Sequence, residues 1–429
     1  MAQETPDNGK SKVSMIPDGM TTDDVKLKPA IHLFVTLMES HFGPNDDNGN
    51  MFTLRMNEMT GRPEYFDKAS KAWTEWGDVQ ESQLRAYFQA SYGLYRKDML
   101  DDAISIFFSN HKVNPLLNIL NSLKWDGKQR VEHFLHDVMK CDDTPYIREC
   151  SRLIFAGGIH RAYNPGCKFD DMIVLIGKQG SGKSTLVRWL NMDDRFFREI
   201  KTINGKEGIE AIRGVWIGEV AELMAMTRVK EAEAVKAYIT SQEDAYRPPY
   251  AKHVQTIPRR CCFIGTTNNS QFLTDRTGNR RFYPVLCQVD GYRLLDNEEV
   301  VREYIAQAWA EAVQLFKAGN LQPFAKKELL DEIRAAQAEA LEDDWRIGAI
   351  EQYLEDNKKA PNSTVSVIEL WHRALGEVEE SKPARKDSIE ITQIVQNIPG
   401  WVRYDKTVMT AWGKQKVFIK MNPFFPVYR

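Results

Sequence analysis

The stretch that decides the fold runs from residue 172 to residue 190 and reads MIVLIGKQGSGKSTLVRWL. Five apolar residues predict a buried strand, the pattern GxxxxGKS/T follows it, and helical spacing begins after the pattern. Glycines let successive backbone N–H groups turn toward one point and hold an anion at the start of a helix. The stretch therefore predicts a phosphate-binding loop, with Gly177, Gly180, Ser181, Gly182, Lys183, Ser184 and Thr185 as its nucleotide-binding residues.

Two side chains of this loop carry the chemistry that nucleotide hydrolysis needs. Lys183 brings a positive charge to the β- and γ-phosphates, and the Ser184 hydroxyl completes the ligand shell of Mg²⁺. ATP and Mg²⁺ are the expected substrate and cofactor. The competing interpretation is a glycine-rich turn in an unrelated fold, and the strand before the loop and the helix after it argue against that.

A second apolar run, RGVWIGEVAEL at 213–223, ends in two carboxylates. A buried strand that ends in an acid matches what a Walker B position requires, so Glu219 is predicted to hold the metal ion together with Ser184. A second carboxylate can polarise the attacking water. Glu219 and Glu222 both remain candidates for that role, and the alternative for Glu222 is a solvated helix face.

A third apolar run, at 261–269, ends in asparagines and is followed by paired arginines. An amide at the tip of such a strand can orient the lytic water, so Asn268 is predicted to be catalytic. Arg280 and Arg281 come before the next apolar run, where an arginine could stabilise charge on the transferring phosphoryl group. A basic pair on the surface is the alternative.

The segment between these motifs, YRPPYAKHVQTIPRR at 246–260, is basic and contains no acid. It predicts a hairpin with Lys252 and His253 at its tip, where cationic and aromatic groups suit single-stranded DNA. A solvated basic loop is the alternative. The predicted hairpin at 401–420 carries five Lys/Arg against one Asp, a balance that suits duplex phosphates or a solvated wing.

The whole chain has an ordinary soluble composition, with 429 residues, 42% apolar residues and a net charge of −3. It contains no apolar run long enough for a membrane span and no signal-peptide core, so a cytoplasmic protein with no membrane partner is expected. Alternating apolar runs and helices from residue 171 onward predict a three-layer α/β domain. The predicted divisions are a disordered tail at 1–25, a small α+β region at 26–80, a helical collar at 81–165, a P-loop ATPase domain at 166–320, a helical linker at 321–343 and a winged-helix-like domain at 344–429.

Six motifs, in order, resemble those of the virulence-associated protein E family. They are WDGK at 125–128, GKQGSGKST at 177–185, GEVAEL at 218–223, RPPYAKH at 247–253, GTTN at 265–268 and DRTGNRRFYPV at 275–285. The resemblance spans roughly residues 80–320. It implies a phage- or island-encoded P-loop ATPase, similar to the superfamily 3 helicases of the AAA+ class.

The resemblance also implies roles for individual residues. Lys183 and Ser184 match the Walker A pair, and Glu219 matches the Walker B acid. Asn268 matches the sensor, and Arg280 or Arg281 matches the arginine finger. Lys236, Asp244 and Arg247 resemble the K…D…R block of viral relatives, and Lys252 and His253 match the tip of the DNA-gripping hairpin. The spacing Glu219-x-x-Glu222 departs from the adjacent acidic pair of those relatives.

The expected function is therefore an ATP-driven DNA helicase or translocase in replication of a phage or mobile element. It is expected to be a ring-shaped homo-oligomer, a hexamer, that acts on single- and double-stranded DNA with a primase or replication initiator as a further partner. The alternatives are a non-unwinding regulatory ATPase in phage defence or virulence, a small-molecule kinase, and a binding protein with a degenerate ATPase.

Overall fold

The computed structural model describes residues 28–43, 53–203, 205–221, 229–246, 255–273, 279–288, 294–341, 345–358, 360–378 and 380–421. The chain divides into two compact units, residues 1–341 and 342–429. The finer divisions within the first unit stay predictions. None of the helices in the described ranges is long and apolar enough to cross a bilayer.

The first unit begins with a small sheet packed against helices. Its elements are α1 (Ile31–Phe42), β1 (Leu54–Asn57), β2 (Arg62–Asp67), β3 (Ala72–Glu75), α2 (Asp78–Tyr92), α3 (Lys97–Asn110) and β4 (Lys112–Val113). The strands lie in the order β3-β2-β1-β4. Phe34, Phe88 and Phe107 are fully buried where the helices meet, and each such side chain contributes about 1.5–3 kcal/mol.

A helical segment connects this region to the central sheet through α4 (Pro115–Ser122), α5 (Phe134–Met139) and α6 (Pro145–Tyr163). α6 begins at Thr144, whose hydroxyl accepts a hydrogen bond from the Ile147 N–H at 3.2 Å. Nearly all of α6 is buried. A Cβ atom at Gly157 would lie 2.4 Å from the Phe169 ring, so the absence of a side chain is what lets α6 pack so closely.

The central sheet has five parallel strands in the order β11-β5-β10-β7-β6. The elements are β5 (Met172–Ile176), α7 (Lys183–Leu190), β6 (Phe197–Glu199), α8 (Gly205–Ala211), β7 (Ile217–Ala221), α9 (Val229–Thr240), β8 (Glu243–Tyr246), β9 (Gln255–Pro258), β10 (Cys262–Thr267), β11 (Phe282–Leu286), α10 (Glu298–Lys317) and α11 (Leu330–Glu339). Both faces of this sheet are covered by apolar clusters, as its near-continuous apolar strands predict.

The second strand of the predicted α/β pattern begins later than its sequence indicates. The apolar run starts at Val215, but β7 begins at Ile217 because the preceding residues form a turn. Gly214 adopts a φ of +79° in that turn, and a Cβ there would lie 2.9 Å from the Thr60 side chain. A contact with the N-terminal sheet therefore sets where the strand begins.

The second unit contains α12 (Trp345–Asn357), β12 (Thr364–Ser366), α13 (Val367–Glu369), α14 (Arg385–Asn397), β13 (Trp401–Thr410) and β14 (Gly413–Lys420), with a π-helical turn at Leu370–Ala374 after α13. Its strands lie in the order β12-β14-β13. Ile350, Ile391 and Val365 are fully buried between the helices and this sheet. Helical segments followed by a hairpin agree with the expected order of elements, and the winged-helix assignment stays a prediction.

Candidate functional site

A cleft of about 840 Å³ lies at the carboxyl ends of the parallel strands. Its walls are formed by the 179–185 loop and helix start, by Glu219 and Ala221 of β7, by Thr266 and Thr267 of β10, and by Asn268, Arg188, Phe197, Glu199 and Leu295. Ligands of open parallel sheets bind at this edge. The structure therefore brings together four of the predicted groups, Lys183, Ser184, Glu219 and Asn268.

Lys183 is the first residue of α7, and its ammonium group is held inside the loop. Its Nζ donates to the carbonyl oxygens of Gly177 and Lys178, at 2.6 and 2.9 Å, and to Asn268 Oδ1 at 3.1 Å. Burial lowers the pKa of Lys183, and the neighbouring Cys287 and Glu219 oppose that shift. The interactions of Lys183 with carbonyl and amide oxygens place a cation where phosphate oxygens would compete for it.

One carboxylate oxygen of Glu219 accepts hydrogen bonds from two hydroxyl groups. Ser184 Oγ donates to Glu219 Oε1 at 2.5 Å, and Thr266 Oγ1 donates to the same atom at 2.7 Å. Glu219 is only 2% exposed, and Thr266 is 4% exposed. This link between α7, β7 and β10 fixes the orientation of the carboxylate.

The loop between β5 and α7 has the backbone shape that an anion site needs. Gly180 and Gly182 have φ values of +81° and +85°, a region that residues with a Cβ rarely occupy. The N–H groups at the start of α7 have no carbonyl partner within the helix. Gly180 has no atom within 4 Å of its Cβ position, so the mouth of the loop is open.

The donor set around Ser184 fits Mg²⁺ bound through a nucleotide. No cluster of three or more His, Cys, Asp or Glu side chains that could hold a metal ion occurs in the described part of the chain. Mg²⁺ commonly keeps several waters and binds one or two carboxylates together with substrate phosphates. Ser184 and Glu219, already in contact, supply that kind of partial shell.

The predicted arginines lie far from this cleft within one chain. Arg280 and Arg281 form a 3₁₀ turn before β11, which pairs with β5 from Phe282↔Met172 to Leu286↔Ile176. The loop begins beyond Ile176, so about six residues of strand, or about 20 Å, separate the arginines from it. The arginines lie at the amino ends of the strands, and the glycine-rich loop lies at the carboxyl ends.

Four predicted residues, Glu222, Arg247, Lys252 and His253, lie outside the described residues. The strands on either side of the predicted basic tip, β8 and β9, are paired antiparallel, with Tyr246 opposite Gln255. Asp244 at the base of this hairpin accepts a hydrogen bond from Arg259 Nε at 2.9 Å. Arg259 lies 4.7 Å from the centre of the Tyr238 ring, so this pair anchors the hairpin.

Thr266 and Glu199 are among the cleft residues that were not predicted from the sequence. Thr266 lies within the GTTN motif, but only the pairing of β10 with β7 shows that its hydroxyl contacts Glu219. Glu199 belongs to β6, a strand of three residues with the sequence FRE. A strand this short and polar has no periodicity that sequence reasoning could use.

Comparison with solved structures supports the fold over most of the chain. The apo structure of the NrS-1 C-terminal region (305–718) aligns with 92% of this chain and all of that one, at 14% identity and a TM-score of 0.50. A second apo structure, the A form of the same region, covers 86% of this chain and 96% of that one at 14% identity and a TM-score of 0.49. At this identity the likeness concerns the fold alone.

Comparison with protein families gives a match across the central sheet, whereas the search of curated proteins finds no match. The model of the virulence-associated protein E-like domain matches residues 120–343, which is more than half of the chain. The matched range contains the glycine-rich loop, Glu219, Asn268 and the paired arginines. The chain therefore belongs to the virulence-associated protein E-like domain family.

Proposed function

We propose that this chain is an ATP-hydrolysing DNA helicase or translocase that serves replication of a phage or mobile genetic element. The observation that carries the proposal is the convergence of Lys183, Ser184, Glu219 and Asn268 in one cleft at the carboxyl edge of a parallel sheet. These residues come from three separate stretches of sequence. Their meeting at a glycine-rich loop supports nucleotide binding followed by hydrolysis.

In the proposed hydrolysis, each of these residues has a separate role. Lys183 exchanges its carbonyl partners for the β- and γ-phosphate oxygens and stabilises the charge that develops there. Asn268, which contacts Lys183, holds the attacking water near the γ-phosphate. Ser184 and Glu219 hold Mg²⁺, which when bound neutralises charge on the β- and γ-phosphates.

The distance between the arginines and the cleft supports an oligomer. Arg280 and Arg281 cannot reach the phosphate loop of their own chain across the length of β11 and β5. A ring in which each subunit presents this edge to its neighbour's cleft places an arginine beside the γ-phosphate. Hydrolysis then depends on assembly, and a hexamer is the number that we propose.

Two hairpins support DNA as the partner. β8 and β9 lead to and from the basic 247–254 segment, which we propose enters a central channel through Lys252 and His253, with Arg247 nearby. In the second unit, Arg403, Lys406, Lys414 and Lys416 are exposed on β13 and β14. Exposed cations suit the phosphates of double-stranded DNA.

The first test is the rate of ATP hydrolysis with and without single-stranded DNA across a series of protein concentrations. We expect DNA to stimulate the rate and the rate per subunit to rise cooperatively with concentration, because the site is completed between subunits. A forked duplex then tests strand separation. Measurable hydrolysis that ignores both DNA and concentration would favour a regulatory ATPase, and no hydrolysis under any condition would contradict the proposal.

A further inference from the structure

We propose that Glu199, on the edge strand β6, is the carboxylate that polarises the attacking water. This inference rests on the proposed ATPase function and adds a catalytic residue to it. It concerns a role that the sequence left open between Glu219 and Glu222.

The register of the sheet brings Glu199 beside Glu219. β6 and β7 are parallel, and their Cα partners include Glu199 opposite Glu219. Neighbouring strands lie about 4.8 Å apart, so the two residues are one strand spacing from each other. The Ile200 N–H donates to the Glu219 carbonyl oxygen at 2.7 Å, which continues the ladder past this pair.

Alternation along β6 turns the Glu199 side chain to the face of the sheet on which α7 lies. Phe197, two residues earlier, packs against the apolar cluster that contains α7 residues such as Leu186. Ile200, the next residue, is buried in the cluster on the opposite face. Since side chains alternate along a strand, Glu199 shares the face of Phe197 and Glu219, and its side chain lines the cleft.

The carboxylates of Glu219 and Glu199 differ in burial and in the hydrogen bonds that they already accept. Glu219 is buried, and its Oε1 already accepts from Ser184 and Thr266. Glu199 is exposed, and no hydrogen bond or ion pair to its carboxylate occurs among the described residues. A general base must reach the water and accept its proton. Glu199 is suited to that task, and Glu219 is suited to holding the ion.

The step that we assign to Glu199 is ordinary phosphate-anhydride hydrolysis. The water oxygen forms a bond to the γ-phosphorus, and the bond from that phosphorus to the β–γ bridging oxygen breaks, with its electron pair leaving on ADP. Glu199 accepts a hydrogen bond from the water and takes its proton, which then passes to solvent. No oxidant, reductant or further reactant is required.

The decisive variant is Glu199→Gln, which keeps the shape of the side chain and removes its charge. We expect the kcat for ATP hydrolysis to fall by about 10²–10³-fold, which is within the range for loss of a general base. The Kd for ATP, measured by titration calorimetry, should stay within about threefold of the unchanged protein because the phosphate loop is untouched. Glu207→Gln, an exposed glutamate of α8 outside the cleft, is the matched control and should change neither quantity.

A second pair of variants separates the carboxylate of Glu199 from its neighbours. Glu199→Asp keeps a carboxylate and should retain more activity than Glu199→Gln, while Glu222→Gln tests the rival residue. The proposal is overturned if Glu199→Gln binds ATP normally and loses less than tenfold in kcat, if it loses ATP binding, or if only Glu222→Gln abolishes hydrolysis. Absence of hydrolysis in the unchanged protein would instead reject the proposed ATPase function itself.

Discussion

The carboxyl ends and the amino ends of the strands in the five-stranded sheet carry different functional groups. At the carboxyl ends of the strands, a cleft is open to solvent. There Lys183 donates to carbonyl oxygens of the glycine-rich loop, and Ser184 donates to Glu219. At the amino ends of the strands, Arg280 and Arg281 form a short turn, and the half-buried Asp171 lies just before β5. Both ends are joined by the same strands and are about 20 Å apart.

This comparison shows how the parallel sheet separates two sets of groups that the proposed hydrolysis needs. Parallel strands all point one way, so residues that directly precede a strand and residues that directly follow one lie at opposite ends of the sheet. Lys183 and Asn268 follow strands of the sheet, and the arginines precede one. We propose that the two sets meet between two chains, and variants at each end of the strands test that proposal.

The largest expected effect comes from removing the arginines. Arg280→Ala with Arg281→Ala should lower ATP hydrolysis by about 10³-fold or more, as for loss of an arginine finger. Mixed 1:1 with Lys183→Ala, it should regain activity, because about one quarter of interfaces then combine an intact loop with an intact arginine pair. The measurement is the steady-state rate of each variant alone and of the mixture.

Two controls make the mixing experiment decisive. Gel filtration must show that both variants assemble as the unchanged protein does, and Lys201→Ala, an exposed lysine outside the cleft, should remain active on its own. If no ratio of the two inactive variants restores hydrolysis, the arginines do not act across an interface.

At the carboxyl edge, Lys183→Ala should reduce hydrolysis by about 10²–10³-fold, as expected when a preorganised cation at the phosphates is removed. The melting temperature should change little, because the ammonium group contacts loop carbonyls and Asn268 and does not support the apolar core. Rates and thermal melts on the same preparation check this. A variant that folds and still hydrolyses ATP would remove the cleft from the mechanism.

A smaller effect is expected from Thr266→Val, which keeps the branched shape and removes the hydroxyl bound to Glu219. Loss of such a supporting hydrogen bond lowers activity or metal affinity by about 10- to 100-fold. We expect about a tenfold loss, with more Mg²⁺ needed for half-maximal rate. Thr266→Ser keeps the hydroxyl and should recover most of the rate, whereas equal losses in both variants would mean that Thr266 acts only through packing.

The position of the glycine-rich loop could be predicted from the sequence because phosphate binding needs fixed residue types within one short stretch. The approximate positions of β5, β10 and β11 followed from apolar runs, and those strands begin within one residue of the predictions. Lys183, Ser184, Glu219 and Asn268 were each predicted from the motif or strand that carries them. The structure adds that they converge.

The positions of Thr266 and Glu199 in the cleft could not be predicted, because they depend on which strands lie side by side. The order of the strands in the sheet differs from their order in the chain. For example, β6 lies four positions from β11 in the sheet, and it precedes β11 in the chain by more than eighty residues. No local pattern encodes such pairing. The later start of β7 has the same origin, since Gly214 turns where the chain meets Thr60 of a distant sheet.

The smallest effect concerns the opposite edge, where burial raises the pKa of Asp171 to about 7 and nearby Asp170 and Glu149 add to the shift. Hydrogen bonding to Tyr283 and the charge of Arg152 oppose it. The folded-state pKa exceeds that of the unfolded chain, so the folded state holds this proton between about pH 4 and pH 7. The stability that it contributes is present below that window and is lost as pH rises through it.

The free energy of unfolding of Asp171→Asn should therefore be close to that of the unchanged protein near pH 4.5. Near pH 8 it should be higher, by on the order of 1 kcal/mol. Melting temperatures of the two proteins, measured across this range, give the comparison. Asp142→Asn, at an exposed position, is the control and should shift both ends of the range equally. A difference in melting temperature that does not grow with pH would mean that Asp171 is charged in the folded protein. The amino ends of the strands would then not raise the pKa of a carboxyl group.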